Sequence, residues 1–125
     1  MAKVIIVNLA EQVLEAHNGN HRVYLFDCVT GAEDHPTPRG TFHILRKQHP
    51  CRSRTYDVEM DYAMFFTTRG HAIHQYHGVG GLGIDRFFRQ GVSDYFGSHG
   101  CVRLSEDDAR QLYRWTPVTT RVRIL

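Results

Sequence analysis

The first 31 residues contain three β-rich segments joined by tight turns, and this pattern constrains the fold more than any other feature of the chain. The segment KVIIVNL (3–9) is rich in β-branched residues, and QVLEAH (12–17) alternates apolar and polar side chains, as strands do. The NGN sequence at 18–20 tolerates the positive φ angles of a hairpin turn. HRVYLFDCVTG (21–31) is then a third predicted strand. The chain is therefore predicted to open as a β-meander.

The remaining sequence predicts more strands and one clear helix. The further predicted strands are TFHILR (41–46), YAMFFTT (62–68), HAIHQYH (71–77) and RVRIL (121–125). The helix covers 105–115, because Ser105 and Asp108 have the spacing of a capping box and three acids occupy the first turn. Loops are predicted at 31–40, 47–56 and 78–97, the last rich in glycine. The fold class is mostly β with one main α-helix near the C-terminus.

Length and charge exclude several classes of protein. The chain has 125 residues, which predicts a single domain spanning 1–125. The formal charge is only +2 and no run of Lys or Arg is present, which argues against a nucleic-acid partner. No apolar run approaches the roughly 18 residues needed to span a membrane. The N-terminus does not resemble a signal peptide, so the protein is either cytosolic or normally preceded by a targeting segment.

The three cysteines differ in their surroundings. Cys28 lies in an apolar strand and is predicted to be a small buried hydrophobe. Cys51 follows Pro50 in a polar loop and is predicted to be a surface thiol. Cys101 lies in the sequence SHGCVR (98–103), where special residues crowd together just before the helix. No CxxC pair is present, which argues against a structural zinc site.

Cys101 is the candidate nucleophile. Only the thiolate attacks, and an ordinary cysteine with a pKa of about 8.5 is mostly protonated near pH 7. A neighbouring imidazole can accept the proton and leave an ion pair. His99 and a histidine of the segment 71–77 are the candidates for this imidazole.

The residues around Cys101 add two further expectations. The backbone N–H groups of Gly100 and Cys101 are candidates for an oxyanion hole, since glycine permits a close approach to substrate. If 101–103 is extended, Arg103 lies on the same side as Cys101 and is placed to bind a substrate carboxylate. The alternative for Arg103 is a surface ion pair with Glu106 or Asp107.

The spacing of His71, His74 and His77 raises the possibility of a metal site. On a strand, His71 and His77 point to one face and His74 to the other, so the three do not converge on one ion. No metal site is therefore predicted, although a histidine-rich metal binder remains an alternative. His74 follows the apolar Ile73 and is expected to point inward.

These residues resemble the L,D-transpeptidase catalytic domain, also called the YkuD domain. The block SHGCVR (98–103) is similar to the family signature, and AIHQ (72–75) resembles its upstream histidine element. Nearly the whole chain follows the family order, including PTPRGTF (36–42). The 27-residue interval from His74 to Cys101 is longer than usual, and loop 78–97 holds the extra length. The resemblance implies an L,D-transpeptidase-like β-sandwich or open barrel.

The resemblance also implies roles for individual residues. Cys101 attacks the carbonyl of the diamino acid in a peptidoglycan stem tetrapeptide, D-Ala leaves, and an amine acceptor resolves the thioester. His74 acts as base and then acid, oriented by the backbone carbonyl of Gln75. His77 is a rival base and substrate-binding candidate, because many members have glycine directly after the histidine. The other implied roles are pocket-shaping by Ser98 and His99, carboxylate binding by Arg103, and closure of loop 78–97 as a lid.

The expected function is thus that of a cysteine acyltransferase of the bacterial cell wall. Stem peptides are the expected partners, carbapenem β-lactams the expected covalent inhibitors, and no cofactor is implied. The expected location is the cell envelope, which requires a signal segment that the sequence does not contain. An L,D-carboxypeptidase or endopeptidase with the same Cys and His, and a non-catalytic wall-binding module, remain as alternatives.

Overall fold

The computed structural model describes residues 2–32, 35–53, 58–77 and 100–125. These residues form two β-sheets, a short two-stranded ribbon and one helix. The strands are β1 (Lys3–Asn8), β2 (Val13–Asn18), β3 (His21–Asp27), β4 (Gly40–His43), β5 (Arg46–Gln48), β6 (Arg52–Ser53), β7 (Val58–Glu59), β8 (Ala63–Phe65), β9 (Ala72–Gln75), β10 (Val102–Leu104) and β11 (Arg121–Ile124), and the helix is α1 (Glu106–Trp115). The predicted mostly-β class is confirmed. Among the described residues, no helix has the length and apolar character needed to cross a membrane.

The first sheet contains the predicted opening meander. Its strand order is β3-β2-β1-β11-β4, with the C-terminal strand β11 parallel to β1. β2 and β3 form a hairpin in which Asn18 pairs with His21, and Gly19 in the turn has φ +62°. Glycine adopts this angle without a steric penalty, which accounts for the turn.

The second sheet carries the candidate site. Its order is β10-β9-β8-β5, and β10 runs parallel to β9. Ile73 pairs with Val102, and His74 pairs with Arg103. Paired residues of neighbouring strands point to the same face of a sheet, so this register decides which side chains meet.

One apolar core is shared by both sheets and the helix. The buried residues of this core are Ile5, Val7, Leu14, Ala16, Cys28, Ile44, Met64, Phe66, Ile73, Val102, Leu104, Ala109, Leu112, Val122 and Ile124. Burial of such side chains stabilises a fold by about 1.5–3 kcal/mol each. The prediction that Cys28 is a buried hydrophobe is confirmed, because its side chain lies in this core.

Helix α1 has the predicted start and a supported end. The Asp108 backbone N–H donates to Ser105 Oγ at 3.4 Å, and Glu106, Asp107 and Asp108 occupy the first turn. At the other end, Lys47 Nζ donates to backbone carbonyls of the last turn and of the residue that follows the helix. These bonds occupy acceptors that a helix end otherwise leaves unsatisfied.

Several predicted strands are shorter in the structure, and two predicted elements, the strand 41–46 and the loop 47–56, are wrong in kind. The predicted strand 41–46 is divided between β4 and β5, because the chain passes from the first sheet to the second at Ile44 and Leu45. The Ile44 N–H donates to Thr120 O, whereas the Leu45 N–H donates to Phe65 O in the second sheet. The predicted surface loop 47–56 instead contributes to β5 and contains β6. Apolar periodicity does not show such a change of pairing partner.

Candidate active site

The parallel pair β9 and β10 brings three predicted site residues to one face of the second sheet. Ile73 and its partner Val102 point into the main core. The alternate residues therefore face the other way, and His74 and its partner Arg103 share that face. Cys101 precedes Val102 and lies on the same face as Arg103, two residues along the chain. Strand spacing puts Cα atoms in this diagonal relation about 8 Å apart, within reach of an imidazole.

Cys101 lies in a second, smaller apolar cluster on this face. Its side chain is 7% exposed, and its Sγ donates to Gly70 O at 3.9 Å. The cluster contains Cys51, Met60, Ala63, Phe65, Ala72 and Cys101. Burial raises the pKa of the Cys101 thiol to about 11, although the Ala72 backbone and the Arg103 charge act in the opposite direction. The resting thiol is therefore protonated at neutral pH.

His74 is buried on the same face as Cys101, and its imidazole has the free ring nitrogen that a general base requires. Its side chain is 6% exposed, and its Nδ1–H donates to the Gln75 carbonyl oxygen at 2.8 Å. This bond assigns the proton to Nδ1 and leaves the lone pair on Nε2. Burial lowers the pKa of His74 to about 3, opposed by the Gln75 carbonyl and reinforced by Arg103 and His77. The contact between His74 and the Gln75 carbonyl is the one expected from the sequence.

These two pKa shifts argue against the predicted ion pair at rest. A thiol with a raised pKa keeps its proton, and an imidazole with a lowered pKa does not take it. Both groups are neutral at pH 7, because the sheet and the apolar cluster exclude the water that stabilises charge. The direction of both shifts disfavours the preformed thiolate–imidazolium pair that the sequence led us to expect, and that pair stays a prediction to be tested.

Arg103 is buried, which rules out the alternative of a surface ion pair with Glu106 or Asp107. Its side chain is 4% exposed, and its guanidinium lies 5.4 Å from the centre of the Tyr76 ring. This distance is typical of a cation–π contact, which the sequence did not suggest. The charge of Arg103 lowers the pKa of both His74 and Cys101, so it favours thiolate formation and opposes protonation of the imidazole.

Gly100 lies at a crowded crossing of three segments. Its φ is +92°, and a Cβ there would lie 2.8 Å from His71 Cδ2 and 3.0 Å from Pro36 O. Gly31 is equally constrained, because its Cβ would lie 2.8 Å from the Gly100 Cα. The sequence predicted a close approach of Gly100 to substrate. In the structure, the close neighbours of Gly100 are instead other segments of the protein itself. This packing holds the backbone immediately before Cys101 in place.

His71 packs against Gly100, and the sequence did not assign this histidine to the site. Its Nδ1 and Thr67 Oγ1 are 2.7 Å apart, and its backbone N–H donates to the same hydroxyl at 3.1 Å. These bonds fix the ring beside Gly100. Burial and the nearby Arg69 charge lower the pKa of His71, which favours its neutral form. A threonine four residues before the histidine is the only sequence signal for this contact.

Cys51 is not the surface thiol that its polar loop predicted. Its side chain is 8% exposed and belongs to the same apolar cluster as Cys101. Its N–H donates to Asp61 Oδ1 at 3.2 Å, and the Met60 N–H donates to its carbonyl at 2.9 Å. The ribbon β6–β7 returns the chain to this position, which is a tertiary contact that local composition does not report.

His77 lies beyond the end of β9, because the strand is shorter than the predicted 71–77. Its Nδ1 lies 3.4 Å from Glu59 Oε2, and its Nε2 lies 3.4 Å from Asp61 Oδ2. Neither carboxylate was a sequence candidate. The ring therefore has acidic neighbours on both sides, unlike the buried ring of His74. The substrate-binding role expected for His77 stays a prediction.

The remaining site candidates lie outside the described residues. They are Ser98, His99 and loop 78–97. The roles expected for them in shaping the pocket, catalysis and closure thus remain expectations from the sequence.

Comparison with protein families shows which family this chain belongs to. The sequence model of the L,D-transpeptidase catalytic domain, YkuD, matches residues 2–124. The chain belongs to this family. The search of curated proteins found no match.

Solved structures share the fold of this family member. An L,D-transpeptidase from Stackebrandtia nassauensis has a TM-score of 0.83 at 24% identity, covering 100% of this chain and 56% of that one. A mutant L,D-transpeptidase from Enterococcus faecium has a TM-score of 0.83 at 22% identity, and the match covers 100% of this chain and 50% of that one. The L,D-transpeptidase LdtMt1 in complex with imipenem has a TM-score of 0.76 at 19% identity, and the match covers 99% of this chain and 59% of that one. The chain thus spans between half and three fifths of the length of these proteins.

Proposed function

We propose that this protein is a peptidoglycan L,D-transpeptidase that uses Cys101 as its nucleophile. The observation that carries the proposal is the shared face of β9 and β10, where Cys101, a neutral His74 and the buried cation Arg103 lie together. A non-catalytic wall-binding module does not need a buried neutral imidazole on the same face as a buried thiol. Membership of the L,D-transpeptidase family supports the same choice.

The first chemical step is attack on the stem peptide. His74 Nε2 accepts the Sγ proton as the sulfur bonds to the carbonyl carbon of the diamino acid. The proton moves during the attack, because both groups are neutral beforehand. The carbonyl oxygen becomes negative, and the backbone N–H groups of Gly100 and Cys101 are the proposed donors to it. Collapse of this intermediate breaks the bond to D-Ala, whose nitrogen takes the proton from His74.

The second step transfers the acyl group. His74, neutral again, takes a proton from the incoming amine as that amine attacks the thioester. The carbon–sulfur bond breaks, and the proton returns to Cys101. The Gln75 carbonyl keeps the imidazole oriented through both steps. Arg103 is proposed to attract a carboxylate of the stem peptide, and its charge also favours the thiolate.

Hydrolysis is the second candidate, because water in place of the amine gives an L,D-carboxypeptidase or endopeptidase with the same residues. The choice depends on which nucleophile reaches the thioester. We assign the activity to a single domain, 1–125, acting in the bacterial cell envelope. That location follows from the proposed substrate, which lies outside the cytoplasm.

A covalent inhibitor provides the first test. The imipenem complex of LdtMt1 leads us to expect that a carbapenem acylates Cys101. Intact-mass measurement should show one adduct per chain in the wild type and in Cys51→Ala, and none in Cys101→Ala. Cys51→Ala is the matched control, because it removes a second thiol from the same cluster. An adduct that persists in Cys101→Ala contradicts the assignment.

Products and histidine variants provide the second test. Purified disaccharide-tetrapeptide should give cross-linked dimers, with one D-Ala released for each cross-link formed, and mass spectrometry detects both products. Tripeptide products alone would favour the hydrolase. His74→Ala should lower the acylation rate by at least about 100-fold, the usual contribution of a general base. His77→Ala should retain most of the rate, and the reverse order would make His77 the base.

A further inference from the structure

A group of metal-binding side chains lies outside the proposed catalytic residues. Glu59, Asp61 and His77 each offer one ligand atom, and these three atoms all lie within 4.8 Å of one another. In a tetrahedral zinc site two ligand atoms that each lie about 2.1 Å from the ion are about 3.4 Å apart, so the most distant ligand atoms must approach each other by up to about 1.4 Å when an ion binds. One imidazole with two carboxylates is a donor set that suits Zn²⁺ and similar divalent metals.

The backbone holds this group in place. The Gln75 N–H donates to Asp61 O at 2.9 Å, which joins the end of β9 to the segment after β7. The Cys51 N–H donates to Asp61 Oδ1 at 3.2 Å, so the carboxylate presents its Oδ2 to His77. Ordering on ion binding therefore falls mainly on the Glu59 side chain, which is exposed, whereas Asp61 is already held.

The side chains of this group are spaced more widely than direct charge-assisted hydrogen bonds require. Both ring nitrogens of His77 lie 3.4 Å from a carboxylate oxygen. Charge-assisted hydrogen bonds of this kind are normally about 2.7–2.9 Å long. A divalent ion among these side chains would offset the negative charge of the two carboxylates.

We propose that Glu59, Asp61 and His77 form a divalent-cation site that takes Zn²⁺, with water completing the coordination. The ligands come from β7, from the segment that follows it and from the residues after β9, so the ion connects these segments. The ribbon leads directly to Met60, which packs in the cluster around Cys101. The ion would therefore secure the part of the chain that covers the candidate nucleophile.

The test measures binding rather than activity. Calorimetric titration of the Cys101→Ala protein with ZnCl₂ avoids binding by the thiolate and should show one ion per chain. Adding Asp61→Asn or His77→Ala should weaken binding at least about tenfold. Asp61→Asn keeps an oxygen that can accept the Cys51 N–H. The matched control is His17→Ala, which removes another imidazole beside a carboxylate, 3.2 Å from Glu15, and should leave Zn²⁺ binding unchanged.

Thermal unfolding separates ligand loss from misfolding. With a chelator present, each variant should unfold in one transition, and ZnCl₂ should raise the Tm of the parent but not of His77→Ala. If His77→Ala does not fold, Glu59→Gln replaces it, because the Glu59 side chain is exposed and its substitution is expected to leave the fold intact. The proposal is overturned if no binding heat is measured, or if His17→Ala weakens binding as much as the ligand variants do.

Discussion

The pH dependence of Cys101 alkylation is the sharpest prediction of the structure. Burial raises the pKa of this thiol to about 11, and burial also lowers the pKa of His74 to about 3. A thiol with a pKa of about 11 is only about 0.01% ionised at pH 7, compared with about 3% for an ordinary cysteine. Ionisation alone therefore slows alkylation of Cys101 about 300-fold relative to an exposed thiol.

Iodoacetamide measures this property directly. The rate constant should rise about tenfold for each pH unit from pH 7 to pH 10, because only the thiolate reacts. Trypsin separates the three cysteines into different peptides, 23–39, 48–52 and 90–103, so mass spectrometry assigns each rate. The same protein in guanidinium chloride is the control, and there Cys101 should follow the profile of an unperturbed thiol.

One result would refute the reasoning about this pair. A thiolate–imidazolium pair at rest reacts at a rate that is nearly independent of pH between 6 and 8. Such a plateau in the folded wild type, abolished in His74→Ala, would show that Cys101 and His74 exchange a proton before substrate binds. It would also restore the ion pair that the sequence predicted.

Three further predictions concern the fold around the site. Lys47→Met should lower the free energy of unfolding in urea by about 1.5–3 kcal/mol, since Lys47 donates to two carbonyls at the end of α1; an unchanged midpoint would mean that water replaces these bonds. Gly100→Ala should lower the Tm and cost about 1–3 kcal/mol, because its φ is +92° and its Cβ would lie 2.8 Å from His71 Cδ2; a wild-type Tm would contradict the packing described. Burial depresses the pKa of His74 in the folded protein, so the unfolded chain binds a proton more readily than the folded one. The free energy of unfolding should therefore be unaffected by this group above about pH 6.5, and should fall by about 1.4 kcal/mol for each pH unit between about pH 6.5 and pH 3. His74→Asn should therefore lose less stability than the wild type between pH 6.5 and 4 in urea titrations, and parallel losses would argue against a neutral buried imidazole.

The site was only partly predictable from the sequence. The sequence SHGCVR singled out Cys101, and the position of His74 after Ile73 predicted its inward orientation. Neither pattern revealed that the two groups are neutral, because a pKa depends on how much water the surrounding elements exclude. The acidic neighbours of His77 and the burial of Cys51 were also missed, since both arise where the ribbon β6–β7 returns over the sheet.

The sequence by itself determined the local elements of this protein. Alternation, the NGN turn at 18–20 and the cap at Ser105 depend on residues close together in the chain, so local steric and hydrogen-bonding preferences specify them. Only the tertiary structure decided that β10 pairs with β9 in the register that joins Arg103 to His74. That register depends on burying Ile73 and Val102 in a core shared by two sheets. Charge states and partners at the site follow from this packing, because they depend on groups that are distant in sequence.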